Sequence, residues 1–171
     1  MFKEIDVNEI NKNWVNAINK EWTLITAKKV DDNFNTMTAS WGCIGELWGK
    51  PIYICFVRPE RYTHEFLENS DYYSISFFDK KYKADLVYLG THSGRNEDKL
   101  SKTKLNVIND DLAPYFKEAN LVLFCRKIYH DDFKEENFND KSIIKDIYVE
   151  KKAQLHTMYI GKIEKVIGKD E

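Results

Sequence analysis

The stretch Asn35 to Thr63 opens N-T-M-T-A-S-W-G (residues 35–42), passes a short turn, and continues P-I-Y-I-C-F-V-R-P-E-R-Y-T (residues 51–63). Thr36, Thr38 and Ser40 alternate with Met37 and Ala39, so a strand would set the hydroxyls on one face and the apolar side chains on the other. Ile52 to Val57 is apolar on both faces and predicts a central strand. Arg58 and Arg61 then flank Pro59, ahead of a short helix predicted over Tyr62 to Asn69 with Phe66 and Leu67 inward. A helix start exposes N–H groups, and guanidinium forks beside them match a phosphate. The whole stretch therefore reads as a cradle for a phosphorylated, flat, aromatic ligand. The competing reading pairs both arginines with Glu60, Glu65 or Glu68 on a solvated surface, and treats the hydroxyl row as an ordinary threonine-rich strand face.

Working outward, Trp22 to Lys29 and Phe34 to Ser40 predict a hairpin joined at Asp31-Asp32-Asn33. Gly42, Gly45 and Gly49 punctuate a predicted loop that carries Trp41, Leu47 and Trp48. Further strands are expected over Tyr72 to Phe78, Leu121 to Tyr129 and Gln154 to Ile167, the last bent or bulged at Gly161. Lys80 to Leu89 is helical in pattern, with Tyr82, Leu86 and Leu89 on one face. Val7, Ile10 and Trp14 mark a weak helix or arm within residues 1–20, and residues 131–146 form a charged surface excursion with few apolar anchors. About six strands separated by short helices, without regular βαβ alternation, argue for a mainly antiparallel β barrel with helical insertions.

At 171 residues the chain suits a single domain over 1–171. Its 26 Lys and Arg nearly balance 28 Asp and Glu, which gives no global field for nucleic acid or an acidic membrane. Cys43, Cys55 and Cys125 offer neither a disulfide framework nor a metal spacing, and Cys55 and Cys125 lie in apolar runs as reduced core residues do. The longest apolar run, Ile52 to Val57, is too short to span a bilayer, so a cytoplasmic protein is expected.

Ser93-Gly94-Arg95, with Lys99 after it, supplies further donors for a phosphate or a ribityl chain. His156, in H-T-M-Y-I-G, is the histidine with most context for contact with a reactive ring or a second substrate; a packed strand histidine is the alternative. No nucleophile signature and no dinucleotide or P-loop glycine motif is present.

N-T-M-T-A-S-W-G, the W-x-K-P at Trp48 to Pro51, V-R-P-E-R-Y-T, the S-x-S-F-F at Ser74 to Phe78, S-G-R-N-E-D-K and the terminal H-T-M-Y-I-G-K-I occur in an order that resembles the flavin reductase-like proteins of the FMN-binding split-barrel class, especially the flavoredoxin-like branch. The resemblance covers most of Trp22 to Ile167 and implies a split β-barrel homodimer with FMN bound near the subunit interface. Thr36, Met37, Thr38, Ala39, Ser40 and Trp41 would lie along the isoalloxazine ring and ribityl chain. Arg58, Arg61, Tyr62 and Thr63, helped by Ser93, Gly94, Arg95 and Lys99, would hold the phosphate. The implied activity passes electrons from NAD(P)H to flavin or another acceptor; the alternative is an electron carrier that meets protein partners and does not use NAD(P)H directly. Many NAD(P)H-using members carry Gly-Asp before the final-strand histidine, where this chain has Gln154-Leu155.

Overall fold

Runs of β-branched and aromatic residues dominate the chain, and in the computed structural model, which describes residues 1–31 and 33–169, they pair into one antiparallel sheet. Its strands are β1 (Phe2–Glu4), β2 (Thr23–Lys28), β3 (Phe34–Ala39), β4 (Cys43–Leu47), β5 (Lys50–Val57), β6 (Tyr72–Phe77), β9 (Leu121–Asp132) and β10 (Thr157–Lys169), while β7 (Val107–Ile108) and β8 (Tyr115–Phe116) form a separate pair. The helices are α1 (Trp14–Asn16), α2 (Tyr62–Glu68), α3 (Lys83–Thr91) and α4 (Lys141–Ile143), with short 3-10 and π-type turns between elements. The sheet runs β3-β2-β6-β9-β10-β5-β4, with β1 added against β10. This is the mainly β, antiparallel architecture with short helices that the sequence predicts.

Alternation along the strands divides the core between two faces. Ile25, Ala27, Met37, Tyr53, Cys55, Phe66, Tyr73 and Tyr159 pack together on one side; Leu24, Phe78, Leu86, Leu89, Phe116 and Val122 pack on the other, around α3. Cys55 and Cys125 are buried reduced thiols, as expected. Gly161 sits where an added Cβ would overlap the Tyr73 hydroxyl and Cys125, and the β9–β10 register slips there, from Ile160↔Tyr129 to Gly161↔Lys127. The predicted bulge is present, and a second slip lies between Ile163 and Lys165.

The β2–β3 hairpin, α2 with its buried Phe66 and Leu67, and α3 with Leu86 and Leu89 inward follow the sequence reading. Of the hairpin turn, Asp32 lies outside the described residues, and Lys29 N donates to Asn33 O at 2.8 Å across it. The predicted loop over Gly42 to Gly49 is instead strand β4, joined to β5 by a tight turn in which Trp48 (φ 55°) and Gly49 (φ 69°) are both left-handed. Gly45 inside the strand, with Gly42 before it and Gly49 in the turn after it, gives the stretch its loop-like pattern. β5 lies next to the end of the sheet, between β10 and β4, and Ile54 and Phe56 on one of its faces are only partly buried. The last strand begins at Thr157 rather than Gln154.

At the N-terminus β1 adds a strand, and Val7, Ile10 and Trp14 pack against the core without forming one helix. The charged excursion is better anchored than its composition implies. Asp131 and Asp132 still belong to β9, and Phe133, Phe138 and Tyr148 join in a chain of aromatic contacts. Among the described residues, no helix is long and apolar enough to cross a membrane.

Candidate functional site

Arg58-Pro59-Glu60-Arg61 closes a β-turn, with Arg61 N donating to Arg58 O at 2.9 Å and proline supplying the preset φ of the second position. Arg61 is then the N-cap residue of α2, without a side-chain cap bond. The turn sends its two arginines in different directions. Arg58 Nε lies 3.3 Å from Glu60 Oε1, so the carboxylate-paired alternative describes Arg58. Arg61 reaches the end of α3, where its Nη2 donates to Gly90 O at 3.0 Å.

Lys99 arrives at the same place from the loop after α3. Its Nζ donates to Leu89 O at 2.8 Å and His92 O at 3.1 Å, and the residue is 4% exposed. A helix C-terminus with unsatisfied carbonyls thus gathers both cations. Among the described residues neither forms an ion pair with a carboxylate. Burial lowers the Arg61 pKa, with Arg58 adding to the effect; burial and then Arg61 push Lys99 down to about 8. Lys99 is buried and Arg61 half-buried, and although Glu60 and Glu97 partly offset these effects, an anion placed between the two cations would relieve them further. The donor set fits a phosphate.

Around them lies a cavity of about 230 Å³, lined by Asn35, Met37, Tyr62, Thr63, Ser93 and Gly94 as well as Arg61 and Lys99. Thr63 is 1% exposed, and its hydroxyl accepts from Asn35 Nδ2 at 2.8 Å. Asn35 fills the space against Gly94, where an added Cβ would overlap its side-chain oxygen. The sequence reading passed over Asn35 as a site residue, although it heads the N-T-M-T-A-S-W-G stretch. Arg95 faces outward: it pairs with Glu65, stacks 5.0 Å over the Tyr62 ring and is 44% exposed, so it borders the cation pair without joining it. Asn35, Tyr62, Gly94 and Lys99 also line an adjoining, larger groove of about 960 Å³.

Met37 and Arg61 connect this cavity to a second of about 190 Å³, lined by Thr38, Ala39, Ser40, Trp41, Phe56, Arg58 and His156. The strand's hydroxyl row is largely engaged within the chain. Thr36 Oγ1 lies 2.9 Å from Thr26 Oγ1 and 3.1 Å from Ile25 O, and Thr38 Oγ1 donates to Leu86 O at 2.5 Å. What β3 offers this cavity is its edge, its backbone and the residues that follow it. Gly90 lets α3 approach closely there, since an added Cβ would come within 3.1 Å of Thr38 Cβ.

His156 is 8% exposed, with its ring 5.2 Å from that of Trp41. Burial first, then Arg58 and Arg61, lower its pKa to about 4, so it is neutral near pH 7. Its Nδ1 is 2.8 Å from the hydroxyl of Tyr148, which the sequence did not single out. His64 binds elsewhere, with Nε2 3.0 Å from Thr157 Oγ1, and that hydroxyl donates in turn to Asp132 Oδ1 at 2.5 Å. The site is therefore an elongated groove with half-buried Arg61 and buried Lys99 at one end and Trp41, Phe56 and a neutral imidazole at the other.

Comparison with known proteins places the fold. The family model described as "flavin reductase like domain" matches residues 15–171. No curated protein matches the chain. Among solved structures, the FMN-binding domain of a flavin reductases-like enzyme from Shewanella baltica OS155 superposes with a TM-score of 0.69 at 14% identity, covering 98% of this chain and 77% of that one. Flavoredoxin of Desulfovibrio vulgaris (Miyazaki F) gives 0.67 at 22% identity, covering 87% and 69%. An NADH:FAD oxidoreductase from Streptomyces globisporus C-1027, in complex with NAD and FAD fragments, gives 0.63 at 15% identity, covering 85% and 73%. At such identities these likenesses establish the shared fold, which another neighbour, from Shewanella frigidimarina, is described as carrying in a split barrel domain. On the family match over most of its length, the chain belongs to the flavin reductase-like domain family.

Proposed function

We propose that the chain is an FMN-binding oxidoreductase that passes electrons from NAD(P)H to flavin or another acceptor. The observation that carries this reading is the convergence of Arg61 and Lys99, both without a carboxylate partner among the described residues, at one end of a groove whose other end is aromatic. Arg61 and Lys99 would hold the phosphate, with Asn35, Thr63, Ser93 and Gly94 shaping the space around it. Trp41 and Phe56 would exclude water from the ring end, and His156 would offer it an uncharged polar contact. Bound FMN would supply the redox chemistry, accepting electrons as hydride or singly at its ring, so no side-chain nucleophile is needed.

The second reading, a flavoredoxin-like carrier, is favoured by a particular feature: Ile147 and Lys151 of the segment between β9 and β10 wall the ring-end cavity. With a flavin ring in that cavity, the segment would narrow the room left beside it for a nicotinamide. We also propose a homodimer, because an apolar hollow of about 640 Å³, lined by Trp14, Val15, Ile18, Ile44 and Phe56, adjoins Trp41 at the same end.

Stopped-flow mixing of the FMN-loaded protein with NADH or NADPH separates the two readings. Rapid bleaching of the flavin band supports the reductase; bleaching only by a reduced protein partner supports the carrier. A protein that takes up no FMN refutes both.

A further inference from the structure

The segment between β9 and β10 brings a second polar side chain onto His156. α4 continues into wide turns over Ile144–Val149, and there Tyr148 Oη comes within 2.8 Å of His156 Nδ1, with both residues buried. Aromatic packing fixes the phenol. Phe56 packs on Phe133 at 5.6 Å between ring centroids, Phe133 on Phe138 at 5.9 Å, and Phe138 on Tyr148 at 6.1 Å. Tyr148 meets the imidazole edge-on at 5.5 Å, while Trp41 flanks it at 5.2 Å. The charged segment between β9 and β10 is thereby tied to one ring nitrogen.

The direction of that hydrogen bond follows from the two groups. A phenol is a strong donor and a poor acceptor, whereas the unprotonated nitrogen of a neutral imidazole is a good acceptor. Burial raises the Tyr148 pKa, so the phenol keeps its proton; the backbone N–H of His156 acts on the same phenol oxygen in the opposite sense, which leaves the phenolic proton for Nδ1. His156 is neutral near pH 7, so its one ring hydrogen then sits on Nε2. No hydrogen bond from Nε2 occurs among the described residues, and His156 lines the cavity beside Trp41 and Arg58.

We propose that Tyr148 is a positioning residue: by donating to Nδ1 it holds His156 as the Nε2–H tautomer and presents one uncharged N–H donor to the ligand at the ring end of the groove. The inference rests on reading that cavity as the flavin-ring site. A fixed N–H there suits a ligand atom that gains negative charge on reduction, such as a carbonyl oxygen or ring nitrogen. It does so without setting a further cation beside Arg58 and Arg61.

The test is a long-range proton–nitrogen correlation spectrum of the full-length chain labelled with ¹⁵N histidine, recorded with and without FMN and assigned with His156→Gln. The expected result near pH 7 is a pyridine-type Nδ1 and a pyrrole-type Nε2. In Tyr148→Phe the signals should collapse towards averaged tautomers, and the His156 midpoint, set first by burial and then by Arg58 and Arg61, with Lys151 also lining the cavity, should shift upward from about 4. A pyrrole-type Nδ1 in the wild type, or an unaltered tautomer in Tyr148→Phe, overturns the proposal. The wild-type spectrum decides the matter should the variant not fold. Failure to take up FMN refutes the cofactor reading while the tautomer is still measured; FMN uptake with a pyrrole-type Nδ1 refutes this inference alone.

Discussion

Affinity for FMN should fall about tenfold from about pH 7 to about pH 9, and Lys99 is the cause. In the free chain its ammonium is buried, held by two carbonyls and set beside Arg61, so it loses its proton near pH 8 rather than at the ordinary 10.5. A phosphate against it favours the charged form and returns the pKa towards the ordinary value. The sign follows from linkage. Between these two values the complex holds a proton that the free chain has lost, so binding takes one up and weakens as pH rises. One proton gives up to a decade per unit, hence about tenfold, or about 1.4 kcal/mol, one unit above the free-chain midpoint. The phosphate does not contribute, because its second ionisation is complete below this window, near about pH 6. Quenching of FMN fluorescence, titrated at constant ionic strength across the window, measures the slope. Lys99→Met should bind more weakly throughout and show a flat profile. A flat wild-type profile, or an equal slope in Lys99→Met, would refute the placement of Lys99 on the phosphate.

Arg61→Ala should weaken FMN binding by about 1.5–3 kcal/mol, the usual value of hydrogen bonds to charged groups, as read by the same titration. Arg58→Ala should cost clearly less, because Glu60 already holds that guanidinium. The FMN-free protein should lose stability as pH falls from 6.5 to about 4, since the unfolded chain protonates His156 first; the loss measured by urea unfolding approaches about 3 kcal/mol and should largely vanish in His156→Gln. Gly161→Ala should destabilise the chain by about 2 kcal/mol, read as a lower urea midpoint, because its Cβ has no room against Tyr73 and Cys125.

Much of the site was legible in the sequence, because its local chemistry is local in the chain. Arg58-Pro59-Glu60-Arg61 is a turn that proline announces, and Phe66 and Leu67 give α2 its buried face. Which arginine would face the cavity was not legible: both carry the same charge, and only the approach of the α3 C-terminus separates Arg61 from Arg58. The threonines of β3 point to a hydroxyl-lined face, but Thr36 and Thr38 meet acceptors from β2 and α3, partners set by tertiary packing. β4 was hidden because Gly42, Gly45 and Gly49 carry loop signals, while pairing with β5 overrides the weak strand preference of Gly45, the one of the three inside the strand. Tyr148 was hidden in a charged segment, since its value lies in contacts with Phe138 and His156 that no spacing rule anticipates.

The central claim, that this groove holds FMN through Arg61 and Lys99, is tested most directly by titrating the purified protein with FMN in parallel with the Arg61→Ala, Lys99→Met double variant. The account predicts saturable uptake of one FMN per chain by the wild type, with a perturbed flavin absorption band, and loss of that uptake in a variant that still folds. Wild-type protein that binds no FMN, or a double variant that binds it equally well, would contradict the account.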